Sequence, residues 1–292
     1  MPGGEGMNVS QLFRAGLASL SEPIPARFIA LRAFDSLFNF LSYESKLRVG
    51  SVQRSNYGFG LLEAGRLAAS LGIERISAIE FGVAGGNGLV ALEGHARRVV
   101  TETGVEIEIY GFDTASGLPP PDDYRDLPYA YVQGSFAMDE EKLRNRLSSA
   151  KLIIGDVRDT VQHFGDTNPA PIGFISFDVD FYSSTIAALE VLDLPFELLL
   201  PRVFCYFDDV AADAAYCFNE FTGELLAIRE FNEAHADRKL AQIAGLRHYF
   251  RSLPTLWHEQ MYVAHLFKHP HYNTPVHSRN HRAALGQRLE LK

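Results

Sequence analysis

The stretch ISAIEFGVAGGNG, residues 76–88, decides the fold class. Residues 76–81 form a short apolar run with β-branched positions, which is typical of a buried strand, and four glycines follow within the next seven positions. Glycines at such a turn let the backbone bend sharply and approach a ligand, and the helix predicted after them presents unpaired N–H groups. A tight turn without a ligand requires the same small residues, so the stretch predicts a strand–turn–helix unit and leaves ligand binding open.

The alternation of strands and helices continues along the chain. Further strands are predicted at residues 105–112, 151–155, 172–178, 202–208 and 261–267, and helices at residues 56–70, 139–147, 184–192 and 223–235. This alternation predicts an α/β fold with a doubly wound, mostly parallel sheet. In such sheets ligands bind beyond the carboxyl ends of the strands, near the point where the strand order reverses. The residues that directly follow each strand are therefore the candidates for a site.

The N-terminal region is predicted to be helical over residues 11–45. Between residues 27 and 43 aromatic and aliphatic side chains occur nearly all round the helix, which predicts burial either beneath the domain or against a second subunit. We therefore expect a homo-oligomer. The organisation that follows is a helical extension (1–56), a ligand-binding domain (57–268) and a C-terminal tail (269–292).

Composition excludes several classes of partner. Lys and Arg total 27 against 36 Asp and Glu, which gives a net charge of −9 and argues against a nucleic-acid binder. No apolar run reaches the roughly 18 residues of a membrane span, and the first residues do not resemble a secretory signal. Cys205 and Cys217 are the only cysteines, which fits a reducing compartment. We expect a cytoplasmic protein without nucleic-acid or membrane partners.

Histidines are concentrated near the C-terminus. Six of the ten stand at His258, His265, His269, His271, His277 and His281. Their spacing matches neither a zinc finger nor a helical pair of metal ligands. We expect most of them at the surface, with room for one to reach the site.

Carboxylates follow the first three strands. Glu80 ends the first strand, where it disfavours a pyrophosphate and favours a cationic or hydroxyl-bearing ligand. Asp113 ends the second strand and can accept both hydroxyls of a ribose, although a helix cap or a solvated turn is the alternative. Asp156 follows the third strand, where it either accepts an adenine amino group or caps the next helix.

Three further carboxylates follow the fourth and fifth strands. Asp178 ends the fourth, and Asp208 and Asp209 end the fifth. They converge if the first strand lies beside the fourth, and like charges at close range are costly unless a cation or protons neutralise them. A set of oxygen ligands suits Mg²⁺. The alternative is a group of turn carboxylates that face water.

A nicotinamide cofactor is the competing ligand. Residues 86–91 fit the pattern G-x-G-x-x-A of dinucleotide sites. In those sites the first glycine directly follows the strand, whereas Gly86 lies several residues beyond it. The distance of Gly86 from the end of the strand, together with Glu80, disfavours an oxidoreductase.

The chain from about residue 57 to 235 resembles the class I S-adenosylmethionine-dependent methyltransferases, with their Rossmann-like, seven-stranded sheet. Within them it is similar to the macrocin O-methyltransferase family, whose members methylate sugar hydroxyls of macrolide and aminocoumarin antibiotics. The blocks that carry the resemblance are residues 79–86, 110–119, 134–136, 159–160, 178–190 and 207–209. Residues 195–201 lack the glycines of that family, so the chain is a divergent branch.

The resemblance implies a role for each strand end. Glu80 and the glycines Gly82, Gly85, Gly86 and Gly88 would hold the methionine moiety of S-adenosylmethionine, Asp113 the ribose and Asp156 the adenine. Asp178, Asp208 and Asp209 would hold Mg²⁺, and the acceptor would be a hydroxyl of a small molecule such as a sugar or secondary metabolite.

The resemblance leaves the general base open. Phe181 stands where catechol-type relatives have a lysine, so the base is Asp178, Asp180 or a histidine from elsewhere in the chain. Residues 119–131 form a long aromatic loop that is either a lid over the acceptor or a rigid excursion. The alternative function is a non-catalytic cofactor-binding or oligomeric module with the same fold.

Overall fold

The computed structural model describes residues 26–212, 214–249 and 255–276. Its strands are β1 (Arg75–Phe81), β2 (Glu106–Asp113), β3 (Lys151–Ile154), β4 (Ile172–Phe177), β5 (Leu199–Phe207), β6 (Arg238–Gln242) and β7 (Met261–Leu266). Its α-helices are α1 (Ala26–Phe38), α2 (Tyr43–Val49), α3 (Ser55–Leu71), α4 (Asn87–Thr103), α5 (Glu140–Arg144), α6 (Val157–Thr160), α7 (Tyr182–Leu189), α8 (Gly223–Ala234) and α9 (Leu246–Tyr249). The predicted helix at residues 11–20 lies outside the described residues.

The seven strands form one sheet in the order β3-β2-β1-β4-β5-β7-β6. Strands β1 to β5 are parallel, and β7 runs antiparallel between β5 and β6. The predicted doubly wound, mostly parallel sheet is confirmed, and β1 lies beside β4, which is the condition for the carboxylates after β4 and β5 to converge. The sequence pattern did not reveal β6, because this edge strand buries only Leu240.

Two apolar layers cover the sheet, as a doubly wound fold requires. One core lies between the sheet and α3 and α4, and the other between the sheet and α7 and α8. The three central strands end in phenylalanines that are in register, namely Phe81, Phe177 and Phe207. Their rings stack in sequence, with centroids 5.6 and 4.5 Å apart, and all three are fully buried. This stack makes the three strands end at one level, so the residues that follow them emerge side by side.

The N-terminal helices pack unequally. Helix α2 is fixed to the domain, because Tyr43 and Leu47 are buried in its core and the Tyr43 hydroxyl lies 2.8 Å from His95 Nδ1. Helix α1 is different, since Leu37 and Phe38 are 77% and 67% exposed. Burial of this helix beneath the domain is therefore wrong for these side chains, whereas burial against a second subunit stays a prediction. No helix in the described parts of the chain is long and apolar enough to cross a bilayer.

Two of the C-terminal histidines are buried, contrary to the expected surface positions. His258 is buried, and His269 is 8% exposed with its Nε2 atom 3.1 Å from the carbonyl oxygens of Phe196 and Leu199. The surface prediction is wrong for both. His269 is buried because the chain after β7 folds back onto the start of β5, and His258 is buried in the turn before β7, where its ring packs against that of Trp257. His277 and His281 lie outside the described residues.

Candidate functional site

A cavity of about 510 Å³ opens at the carboxyl ends of the central strands, where the switch-point rule places a ligand. It is lined by the predicted site residues Glu80, Gly82, Gly85, Gly86, Asp113, Asp156, Asp178, Asp180, Asp208 and Asp209. Gly88 is not among the lining residues. The fold therefore brings the carboxylates of five strand ends to one cavity.

Two glycines, Gly82 in the loop after β1 and Gly88 in the first turn of α4, are required by close approaches. Gly82 has a φ of +83°, and a Cβ atom there would lie 1.7 Å from the carbonyl oxygen of Asp178. A Cβ atom on Gly88 would lie 1.8 Å from Glu80 Oε1. Gly82 thus lets the loop pass over the end of β4, and Gly88 makes room for the Glu80 carboxylate behind the cavity wall.

Glu80 presents a buried carboxylate that is only half satisfied. Its side chain is 1% exposed, and Oε1 accepts a 2.7 Å hydrogen bond from the Tyr57 hydroxyl, which itself accepts one from Ser176. Its Oε2 atom has no hydrogen-bond partner among the described residues. Burial raises the pKa of Glu80 to about 7. An ammonium or hydroxyl group of a ligand would complete this site.

Asp113 shapes the glycine loop from the end of β2. Its Oδ2 accepts 2.8 Å hydrogen bonds from the backbone N–H groups of Val83 and Ala84, and its Oδ1 accepts one from Ala115 at 2.6 Å. A carboxylate offers about four acceptor positions, so one remains for a ligand. The role of Asp113 toward a ribose stays a prediction.

Asp156 caps α6, which was the alternative to adenine binding. Its carboxylate accepts from the Arg158 N–H at 2.9 Å and pairs with the Arg158 guanidinium. The hydrogen bonds from that side chain lower the pKa of Asp156. The carboxylate still lines the cavity, so contact with an adenine stays a prediction.

Asp178, Asp208 and Asp209 converge as the strand order predicts. One carboxylate oxygen from each lies within 4.8 Å of the others. Burial, and then the charges of Asp208 and Asp209, raise the pKa of Asp178, and burial raises the pKa of Asp209 to about 7. Asp209 Oδ2 is buried without a partner among the described residues. Three oxygen donors with an unsatisfied buried atom fit a hard divalent cation such as Mg²⁺.

Polar side chains from distant segments hold this acidic cluster in place. The Tyr131 hydroxyl donates to Asp209 Oδ1 at 2.5 Å, and the Tyr206 hydroxyl donates to Asp208. Gln260 Nε2 donates to the Asp208 carbonyl oxygen at 2.6 Å. Glu224 is fully buried, and its Oε2 accepts from the Asp209 N–H at 2.9 Å.

These supporting residues were not predicted from the sequence, and no local pattern marks them. Among them, only Tyr131 lies in a segment for which the sequence predicts a role, the loop at residues 119–131. Asp180, a candidate base, adjoins the cluster with a φ of +61°, and burial raises its pKa to about 8.

The loop at residues 119–131 is anchored at two points. The buried Asp126 accepts hydrogen bonds from the Ser183 N–H at 2.8 Å and from the Ser183 hydroxyl at 3.0 Å. Tyr131 forms the second anchor through Asp209. These contacts favour the rigid excursion over the lid.

Comparison with known proteins establishes the fold. No protein-family model matches the chain, and no curated protein matches its sequence. The crystal structure of CalS11, a calicheamicin methyltransferase, is similar with a TM-score of 0.50 and 20% identity over 92% of this chain and 100% of that chain. The apo structure of CalS11, TDP-rhamnose 3'-O-methyltransferase, has a TM-score of 0.43 and 19% identity over 90% and 97%.

An O-methyltransferase from Bacillus cereus in complex with SAH has a TM-score of 0.39 and 16% identity over 80% of this chain and 96% of that chain. Such identities speak to the fold alone. Together with the strand order, the likeness to CalS11 confirms the class I methyltransferase fold that the sequence resemblance predicted.

Proposed function

We propose that this protein is an S-adenosylmethionine-dependent O-methyltransferase that acts, with Mg²⁺, on a hydroxyl of a small molecule such as a sugar or secondary metabolite. One observation carries the proposal. A single cavity at the switch point has a half-satisfied buried glutamate beside a glycine loop at one end and three convergent carboxylates at the other. The first arrangement suits an amino-acid ammonium, and the second suits a hard cation.

The cofactor would be held by the ends of β1, β2 and β3. Glu80 would bind the ammonium group of the methionine moiety, with the loop at residues 82–86 against its chain. Asp113 would accept from the ribose, and Asp156 would contact the adenine. When bound, S-adenosylmethionine supplies an electrophilic methyl group on a sulfonium.

The acceptor would lie at the other end of the cavity. Asp178, Asp208 and Asp209 would hold Mg²⁺, which supplies Lewis-acid chemistry to a hydroxyl. Asp180, whose pKa burial raises to about 8, would accept the proton of the acceptor hydroxyl, with Asp178 as the other candidate base. Tyr131, which donates to Asp209, and Tyr216, whose ring centroid lies 6.1 Å from that of Tyr131, line the cavity here and offer apolar ring surface to a small hydroxylated molecule.

Calorimetry tests this assignment without knowledge of the acceptor. We expect S-adenosylhomocysteine to bind in the micromolar range, about −8 kcal/mol, and NADH not to bind. NADH binding in its place would support an oxidoreductase. S-adenosylhomocysteine binding without methyl transfer to any of a panel of sugar and phenolic acceptors, with Mg²⁺ present, would support a non-catalytic module.

A homo-oligomer is a second part of the proposal, and it rests on α1. Phe34, Leu37 and Phe38 expose apolar surface on that helix, which isolated soluble chains rarely leave in a contiguous patch. We expect sedimentation at tens of micromolar to give a dimer or larger species. A monomer at that concentration would contradict it. The division at residues 56 and 268, and a cytoplasmic location, stay predictions.

A further inference from the structure

Arg54 lines the cavity from outside the segment that was predicted to bind ligand. It is the residue before α3, and its backbone is left-handed, with a φ of 45° and a ψ of 56°. Its side chain is 36% exposed. Among the described residues that line the cavity, Arg54 is the only cationic one.

Tyr57 connects Arg54 to Glu80. Arg54 Nη1 donates to the Tyr57 hydroxyl at 3.3 Å, and the guanidinium carbon lies 5.0 Å from the centroid of the Tyr57 ring. The same hydroxyl donates to Glu80 Oε1 at 2.7 Å. The cation and the buried carboxylate therefore stand on either side of one hydroxyl group.

Most of the hydrogen-bonding capacity of Arg54 is unused. A guanidinium carries five N–H donors. Within the described parts of the chain, its side chain makes one hydrogen bond, to Tyr57, and its contact with Asp178 Oδ2 is a longer one, at 4.0 Å. A cation with free donors beside a cavity is a receptor for an anion.

We infer that Arg54 binds the α-carboxylate of the cofactor's methionine moiety, an inference that rests on the proposed function. In an α-amino acid the ammonium and the carboxylate are bonded to one carbon, so a ligand whose ammonium meets Glu80 must place its carboxylate nearby. Arg54 is the cation that this position offers, and its planar fork matches a carboxylate. Glu80 and Arg54 then form a clamp for a zwitterion, with Tyr57 fixing the spacing between them.

The competing receptor is the N-terminus of α4. Its first N–H groups, at Asn87 and beyond, also attract anions. A ligand pair that differs only in the carboxylate separates the two receptors. S-adenosylmethionine and decarboxylated S-adenosylmethionine form such a pair, since both carry the ammonium, the sulfonium, the ribose and the adenine.

The experiment is a binding cycle by calorimetry with the full chain and a metal chelator, which removes any effect of a cation at Asp178. We expect Arg54→Gln to lower the affinity for S-adenosylmethionine roughly tenfold or more, as for loss of a charge-assisted pair. The affinity for decarboxylated S-adenosylmethionine should fall less than about twofold. Arg54→Lys keeps the charge without the fork and should give an intermediate loss. Arg66→Gln, within α3 and paired with Glu44 and Glu63, is the matched control and should change neither affinity.

Three results would overturn the inference in distinguishable ways. Equal losses of both ligands would mean that Arg54 acts only through Tyr57 and Glu80. Unchanged binding of S-adenosylmethionine to Arg54→Gln would place the carboxylate elsewhere, with the start of α4 as the receptor. Failure of the parent protein to bind either ligand would contradict the proposed function itself, and the inference about Glu80 and Arg54 with it.

Discussion

The cavity has two ends. The cofactor end, named for the proposed ligand, is formed by the residues at and after the ends of β1, β2 and β3, and the other end by Asp178, Asp208 and Asp209 after β4 and β5. The carboxylates of the two ends differ in whether the protein supplies their hydrogen-bond partners. At the cofactor end, Asp113 already accepts three backbone hydrogen bonds, and Asp156 is paired with Arg158. At the other end, Asp178, Asp208 and Asp209 face one another within 4.8 Å. The protein's own donors satisfy Asp113 and Asp156, whereas the three like charges of the other end have one cation nearby among the described residues that line the cavity, Arg54 at 4.0 Å from Asp178.

This difference shows which end needs a partner from outside the protein. Asp209 Oδ2 and Glu224 Oε1 are buried without hydrogen-bond partners among the described residues, and they lie at the same end. Uncompensated buried carboxylates destabilise a fold unless a cation or protons neutralise them. Within the described parts of the chain, Glu80 Oε2 is the comparable atom at the cofactor end. We therefore expect ligands to affect the two ends separately, and variants to respond to one ligand and not to the other.

The largest expected effect is that of Asp178→Asn on methyl transfer. An amide keeps the shape of the side chain but loses the charge that Mg²⁺ requires, so transfer to any acceptor that the parent uses should fall by roughly 10²-fold or more, about 3 kcal/mol. S-adenosylhomocysteine binding should fall far less than methyl transfer, because the Asp178 side chain contacts the described residues of the proposed cofactor site only through Arg54, at 4.0 Å. Both are measured on the same preparation.

Asp166→Asn is the matched control for charge, since that side chain is 84% exposed and lies outside the cavity. It should leave both measurements unchanged. A parent enzyme that stays active with chelator would show that the acidic cluster works without a metal, and the difference between the two ends would lose its explanation.

The next effect is stabilisation by Mg²⁺. A cation that binds only the folded chain should stabilise it by about 2.7 kcal/mol when its free concentration is about 100 times Kd. For a chain of 292 residues that is a rise in Tm of about 4 °C. Without metal, Asp178→Asn should melt higher than the parent, because it removes one of the repelling charges. With Mg²⁺ the order of the two proteins should reverse.

Scanning calorimetry at matched ionic strength measures this reversal, with Na⁺ in place of Mg²⁺ as the reference. If Asp178→Asn melts below the parent in the absence of metal, the cluster is already neutralised in the free protein. The contrast between the ends of the cavity would then be smaller than their geometry indicates.

A pH dependence should distinguish the cofactor end. Burial raises the pKa of Glu80 to about 7, so the folded chain binds this proton more tightly than the unfolded chain, and the ionised form costs stability as the pH rises through 7. A ligand ammonium binds the ionised form. Affinity for S-adenosylhomocysteine should therefore rise with pH, by up to about tenfold per unit below the pKa of Glu80. The ligand ammonium stays charged over this range, because its neighbouring carboxylate keeps its pKa above the value of about 7.8 of a peptide N-terminus.

Titration calorimetry from about one pH unit below the pKa of Glu80 to about half a unit above it measures this slope. Glu80→Gln keeps the shape and should flatten the profile while leaving the response to Mg²⁺ intact. An equally steep profile in Glu80→Gln would assign the titration to another group and remove the ammonium contact.

Most of the fold could be predicted because most of its strands can be recognised from their own residues. Each of the three central strands is a mostly apolar run that ends in a phenylalanine, and the residues that follow line the cavity. Strand β6 could not be found this way, since its sequence RKLAQ places one side chain in the core and leaves the others partly or largely exposed. An edge strand is defined by its hydrogen bonds to a neighbour more than by its composition.

The supporting residues of the site could not be predicted because packing selects them. Glu224 lies in the first turn of α8, where an acidic residue is ordinary, and only the approach of that helix to β5 buries it. Arg54 and Tyr57 lie at the edge of the segment that resembles the methyltransferases, and the turn of α3 over β1 and β4 brings them to Glu80. The carboxylates that follow the strands can be identified from the sequence, whereas the residues that hydrogen-bond to them are brought there by the packing of helices on the sheet.

The smallest expected effect is that of Tyr131→Phe. The Tyr131 hydroxyl donates to Asp209 Oδ1, so it orients one candidate ligand of the cation from the loop above the cavity. Loss of one such hydrogen bond should cost roughly 1 kcal/mol, which corresponds to a Mg²⁺ affinity several-fold weaker by calorimetry. Tyr129→Phe is the control, because that exposed hydroxyl donates to the Tyr216 carbonyl oxygen. S-adenosylhomocysteine should bind both variants as it binds the parent, since neither hydroxyl touches the β1–β3 end. Equal Mg²⁺ affinity in the parent and Tyr131→Phe would mean that Tyr131 serves only to hold the loop, and that the cluster is positioned from the sheet side by Tyr206 and Gln260.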